Sequence, residues 1–255
     1  MTKGLLSTLA LAGIALGCGS SGNSNAVGNG AGSFLPLAVG NQWTYQVTDS
    51  DGTKTLKVQG VTAPAVVGGT GPNKEAMAFR LVTGSRFNDT NGDVSFQAVV
   101  GKRVVRFREE SIGASSGNLK KEQYWDPSKL RVDDSAEHTA LGAQWPENFI
   151  EYTVDKAKAD GAAGGAGGTG VDDGGDRPLV TTSEPVMEMW SVVGVNESVT
   201  VPGGTFTTIK LKRTSLASAS VRYFWFARGI GKVKEAGELG SGDQLEELSS
   251  YVVNP

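Results

Sequence analysis

The chain has 255 residues, a formal charge of −3, 38% hydrophobic residues and 36 Gly, about twice the usual Gly share. That length allows one large or two small domains, and 24 Lys and Arg against 27 Asp and Glu leave no basic excess for nucleic acid. One His and one Cys exclude zinc-finger, His-ligand and multi-disulfide designs, so neither a metal site nor a cofactor is expected.

Residues 1–17 have the form of a secretory leader: Lys3, an apolar run over 5–16, then small residues at the break. The run is shorter than the roughly 17–25 residues a membrane-crossing helix needs. Ala15-Leu16-Gly17-Cys18 resembles the lipobox of bacterial lipoproteins, with Ala15 where that family usually has Leu. The resemblance implies cleavage after Gly17, a diacylglyceryl thioether on Cys18 and acylation of the new amino group. Each buried CH₂ contributes about 0.8 kcal/mol, so two or more chains hold where one binds marginally. Gly19 stands where the family's inner-membrane retention signal usually places Asp, which implies the outer membrane. Cys18 is therefore the expected lipidation site, and the membrane the expected partner.

Residues 18–33 read as the lipidated Cys and a flexible tether, because Gly, Ser and Asn dominate from Gly19 to Ser33. Such a segment spans roughly 20 Å, from about 5–6 Å × √n. From Phe34 to Pro255 a single β-rich domain is expected, with period-two alternation and no long helical pattern. Trp43, Tyr45 and Val47 alternate with Thr44, Gln46 and Thr48. Leu56 and Val58 alternate with Thr55, Lys57 and Gln59. Phe79 and Leu81 share a face, as do Phe96, Ala98 and Val100. Val105 and Phe107 alternate with Val104, Arg106 and Arg108. Further strands are expected at Phe149–Asp155, Val186–Val195, Thr205–Arg213, Val221–Ala227, Lys232–Glu235 and Leu245–Val253.

Turn signals separate these runs at Asp51-Gly52, Asn91-Gly92, Gly101, Pro202-Gly203-Gly204 and Gly229-Ile230-Gly231. Pro202 and Gly203 suit a type II turn with φ > 0 at Gly203. The fold class is all-β: a curved antiparallel sheet or open barrel of roughly ten to twelve strands. Residues 156–178 are Gly-rich and read as a disordered insertion between strands.

The strand Val221–Arg228 is apolar on both faces, with Tyr223 and Trp225 on one and Phe224 and Phe226 on the other. Both faces need a cover, which is the core on one side and the protein's own loops, a ligand or a partner on the other. Residues 34–45, 201–206 and 223–234 resemble stretches of uncharacterised bacterial lipoproteins, a group similar in pattern to Lol-type lipoprotein carriers. That resemblance implies a curved antiparallel sheet able to hold an acyl chain in its concavity. It carries over no binding residue.

Several motifs fail on context. Gly165–Gly170 matches GxGxxG without the strand and helix that dinucleotide binding requires. Gly113–Gly117 matches GxSxG, and Ser115, Asp133 and His138 fall in the chain order of a hydrolase triad. No strand-to-helix elbow surrounds Ser115, however. Asp89–Asp93 opens like a calcium loop but has Val94 and Val100 where Gly and Glu belong. The adjacent acids Glu109-Glu110, Asp133-Asp134, Asp172-Asp173 and Glu246-Glu247 point to opposite faces of a strand and cannot share a substrate. His138 sits among acids and reads as a solvated surface residue.

The expectation is thus a lipid-anchored, non-catalytic envelope protein that binds a hydrophobic ligand or lipid in a concave sheet. Its candidate ligand or partner surface is Trp43, Tyr45, Phe206, Tyr223, Phe224, Trp225 and Phe226, as fold anchors first and contacts second. A structural lipoprotein contacting envelope proteins is the alternative. A carboxylate-dependent enzyme is a third, and would need two acids held in opposed environments.

Overall fold

The structure, a computed structural model, describes residues 28–30, 32–85, 92–112, 119–155, 180–238 and 243–254. The leader, Cys18, the GxGxxG and GxSxG motifs and the 156–178 insertion lie outside these residues. Twelve antiparallel strands follow one another: β1 Gln42–Thr48, β2 Lys54–Val66, β3 Met77–Gly84, β4 Asp93–Val100, β5 Arg103–Ile112, β6 Leu119–Asp133, β7 Gln144–Asp155, β8 Val180–Val201, β9 Gly204–Ser215, β10 Val221–Ala227, β11 Gly231–Gly237 and β12 Leu245–Val252. Each pairs with its neighbours in sequence, and β1 pairs with β12, which closes the sheet into a barrel. Closure leaves no unpaired edge strand among the described residues.

One layer of inward residues can be followed around the wall through pairs that lie opposite in register. Val47 faces Glu246, Glu246 faces Glu235, Glu235 faces Phe224, Phe224 faces Leu211 and Leu211 faces Val192. Outward faces of β1 and β9 carry Gln42, Thr44, Gln46, Lys210 and Lys212. This inverts the apolar outer band of a transmembrane barrel. No helix among the described residues is long and apolar enough to cross a membrane.

The lumen has two halves. Where β1 begins, an apolar cluster joins Trp43, Val61, Val104, Val132, Trp145, Trp190, Ile209, Phe226 and Leu248. Phe34, Leu35 and Leu37 belong to the same cluster, so the segment before β1 closes this end of the barrel. It is tied down by Phe34 N–H donating to Asp134 (3.0 Å), Gly229 N–H to Ser33 O (2.8 Å) and Leu37 N–H to Asn29 Oδ1 (2.8 Å). Residues 28–30, 32 and 33, read from the sequence as the end of the tether, are thereby part of this closed end.

A second, outer layer covers β3, β4 and β5. The β2–β3 connection folds over Ala78, Val82, Val94, Phe96 and Ala98. Gly69 and Gly71 let it lie against the Tyr124 ring, where a Cβ would come within 2.2–2.4 Å of the ring or its hydroxyl. Arg108 pins it from below by donating to Val67 O (2.7 Å).

Four local expectations are corrected. In β2 the inward residues are Thr55 and Lys57, opposite Val47 and Tyr45, while Leu56 points outward and is 61% exposed. The polar set turns inward there because it serves the charged half of the lumen. The β8–β9 hairpin turns through Pro202-Gly203, but the positive φ falls at Gly204 (131°), not Gly203, so the turn is not type II. Gly203 is needed instead for close approach, since a Cβ would come within 2.9 Å of Leu248 O on β12. Leu119–Asp133, absent from the strands expected above, forms a 15-residue strand whose apolar alternation is interrupted by Lys120, Lys121, Glu122, Gln123 and Pro127. His138 is not free in solvent: its ring stacks on Trp145 at 4.0 Å, and Nδ1 lies 2.7 Å from Asp133 Oδ2. Burial alone would raise the Asp133 carboxyl, but hydrogen bonds from His138 and Ser135 hold it below its ordinary range.

Candidate functional site

The seven aromatic candidates divide three ways. Trp43, Tyr45, Phe224 and Phe226 are buried in the lumen and serve the core. Rings run in series from His138 through Trp145, Trp190 and Phe224 to Phe226, with successive centroids 4.0, 6.4, 5.7 and 6.3 Å apart. Tyr223 and Trp225 face outward, and the protein's own side chains partly cover them. Lys210 Nζ sits 4.8 Å and Lys234 Nζ 5.7 Å from the Trp225 ring, whose Nε1 donates to Glu197 (3.0 Å). Phe206 lines a recess.

That recess is a cleft of ≈ 690 Å³ at the closed end, between Thr139–Leu141, the start of β9 and the β10–β11 turn. Phe34, Leu141, Val195, Phe206, Ile209 and Ile230 supply apolar walls, and Thr205, Thr207, Thr208, Asn196 and Arg228 supply polar ones. The size and mixed lining suit a small ligand. The β8–β9 ladder slips between Val192 and Glu197, with Asn196 at φ 56°, and this bulge exposes Val195 to the cleft. Apart from Phe206, sequence alternation does not reveal this lining, because loops and a bulge provide most of it.

The opposite half of the lumen is ionic. Lys232 Nζ contacts Glu235 and lies 2.7 Å from Glu246, which Lys57 also contacts. Burial would raise both carboxyls, yet Lys232 overrides it: Glu235 is held at about 2, and Glu246 is held below its ordinary value. Burial would likewise lower Lys232, but the two carboxylates raise it above its ordinary value. Higher in the barrel, Arg213 meets Glu188 (3.7 Å), Lys129 meets Glu151 (3.7 Å) and Glu188 (4.0 Å), and Arg106 pairs with Glu109. Trp125 receives both Lys129 (5.3 Å) and Arg106 (5.6 Å) over its ring. The adjacent acids split between faces as strand geometry requires: Glu246 turns in to Lys232, and Glu247 turns out to Lys234 (3.1 Å).

Of the triad-ordered residues, two are described. Asp133 and His138 meet, with Nδ1 2.7 Å from Oδ2 at the end of β6. Ser115 lies outside the described residues. Of the calcium-like loop only Asp93 lies within the described strands, where its carboxylate accepts from Ile112 N–H (2.8 Å).

The fold therefore defines a class: a twelve-stranded antiparallel meander barrel with a plugged apolar end and an ionic interior at the other. No family model and no curated protein matches the sequence. A crystal structure of a protein provisionally called a lipoprotein, from Parabacteroides distasonis, is similar at a TM-score of 0.41 and 12% identity. The match covers 87% of this chain and 99% of that one. A likeness of that degree carries no argument about function.

Proposed function

We propose that the protein is a lipid-anchored cell-envelope module whose barrel binds an apolar or amphipathic ligand without transforming it. The observation that carries this reading is where the cleft opens. It lies at the closed end, where the chain enters the barrel at Gly28, only ten residues after Cys18. Ten residues span at most about 36 Å, and roughly 16–19 Å when flexible. An acylated Cys18 would hold this end facing the bilayer, where Val39, Val100, Leu141 and Val252 are exposed. A lipid chain leaving that surface would meet Phe206, Ile209 and Ile230. The sequence likeness to Lol-type carriers supports the same occupant, and the lipobox-like stretch 15–18 supports an envelope location, with Gly19 favouring the outer membrane.

The non-catalytic part of the reading is supported by the paired acids. Glu235 and Glu246 face each other, but Lys232 holds both ionised, so neither is poised to donate a proton near neutral pH. An assembly role is the second reading, favoured by the outward Tyr223 and Trp225 stripe on β10.

Replacing Cys18 with Ser is expected to move the protein from the membrane to the soluble fraction. Unchanged fractionation would remove the anchor. Native mass spectrometry of the Cys18→Ser chain is expected to show a co-purified lipid that is lost when Phe206 is changed to Asp. A bare protein in both cases would leave the anchor standing and remove the ligand.

A further inference from the structure

We infer that the ionic half of the lumen is a binding site for an oxyanion, a carboxylate or phosphate group, centred on Arg131. None of the residues that line the cleft belongs to this site, and it does not depend on the anchor. Arg131 lies where the β5–β6 ladder slips, between Leu130, opposite Val105, and Val132, opposite Val104. It therefore has no residue opposite it. Its charge acts on Tyr45 of β1, Arg106 of β5, Arg213 of β9 and Glu235 of β11. Only the lumen is close to all four strands.

The other luminal cations all have carboxylates. Lys57 and Lys232 share Glu246 and Glu235, Lys129 and Arg213 share Glu188, and Arg106 has Glu109. Arg222 has Glu235 (3.4 Å) and Asp243 (3.6 Å). Arg131 has neither an ion pair nor a hydrogen bond among the described residues, and its Nε is buried without a partner, as is that of Arg106. A guanidinium with a buried, unpartnered Nε and no carboxylate within ion-pair distance is costly, and the guanidiniums of Arg106 and Arg213 nearby add to the cost. Burial first, and Arg131 next, pull Arg106 down to about 10. An oxyanion relieves all of this at once. The planar fork of arginine matches two oxygens of a carboxylate or phosphate, and the free Nε of Arg106 supplies another donor. The surplus of one positive charge fits a singly charged group better than a doubly charged one, because Glu109 and Glu235 remain close by.

The test uses the full chain carrying Cys18→Ser, titrated by calorimetry with sodium phosphate and with sodium decanoate at constant ionic strength, against sodium chloride. Saturable binding at one site per chain is expected. It should weaken at least about tenfold in Arg131→Gln and less in Arg131→Lys, with unchanged far-ultraviolet dichroism. Phe206→Asp should bind as the parent does. Comparable affinity for phosphate and decanoate identifies a small-anion site, while decanoate alone identifies the head group of an amphiphile. No saturable binding of either, or equal binding in Arg131→Gln, overturns the site.

Discussion

Replacing Lys232 with Met is expected to destabilise the barrel by about 3–5 kcal/mol at pH 7, measured by urea denaturation. Lys232 is 8% exposed and is the ammonium between two carboxylates that lie directly opposite each other on β11 and β12. Methionine keeps the volume and removes only the charge, so the loss reports the stranded acids rather than a cavity. Lys57 still reaches Glu246 and Arg222 still reaches Glu235, which keeps the loss finite.

The pH dependence separates this cause from poor packing. In the parent protein Glu235 is held at about 2, below its unfolded value. Its contribution is therefore full above roughly pH 5 and is lost only as pH falls toward 2. Lys232 is raised, so its contribution is full below its unfolded value and fades only as pH climbs past it. Between those limits the parent should be nearly insensitive to pH on their account. In Lys232→Met the facing carboxyls are buried and repel each other, so their folded values rise above the unfolded ones. Stability of the variant should then recover as pH falls from 7 toward 5, and the gap from the parent should narrow. A second change, Glu235→Gln, should recover part of the loss at pH 7. A gap that does not vary with pH would place the damage in packing.

Strands were legible wherever alternation meets a one-sided environment. Trp43, Tyr45 and Val47 in β1 are buried as their spacing predicts, and Phe224 and Phe226 part from Tyr223 and Trp225 as their alternation requires. The reading failed where the lumen itself is polar. Lys57, Arg106, Arg213 and Lys232 look like solvent-facing residues, yet they turn inward to Glu246, Glu109, Glu188 and Glu235. Nothing local in Glu235 and Glu246 announces that they will face each other, because only the β11–β12 register brings them together. The start of β6 was obscured for a related reason. Its outward Tyr124 lies under the β2–β3 loop and its inward Trp125 lies under Lys129 and Arg106, so neither face reads as a plain apolar stripe. His138 was misplaced because Trp145, the ring it stacks on, returns to it only through the loop before β7.

Truncating Phe224 to Ala should cost about 3–5 kcal/mol, and truncating its neighbour Trp225 only about 1–2 kcal/mol, although tryptophan is the larger residue. Phe224 is 3% exposed and sits between Trp190 and Phe226, with the Arg213 guanidinium 5.4 Å from its ring. Its loss breaks the series of rings and leaves a gap beside a buried cation, which no neighbour in a closed wall can move to fill. Trp225 is only half-buried, and Lys210 and Lys234 can follow the surface inward once its ring is gone. Chemical denaturation of both variants checks the order. Equal costs would mean that the outer face of β10 is as tightly built as the lumen, and Trp225 would then be useless as a probe of partner binding. With the expected order, Trp225→Ala keeps a folded barrel. Loss of an envelope partner in a pull-down with that variant would then report the outer surface rather than the core.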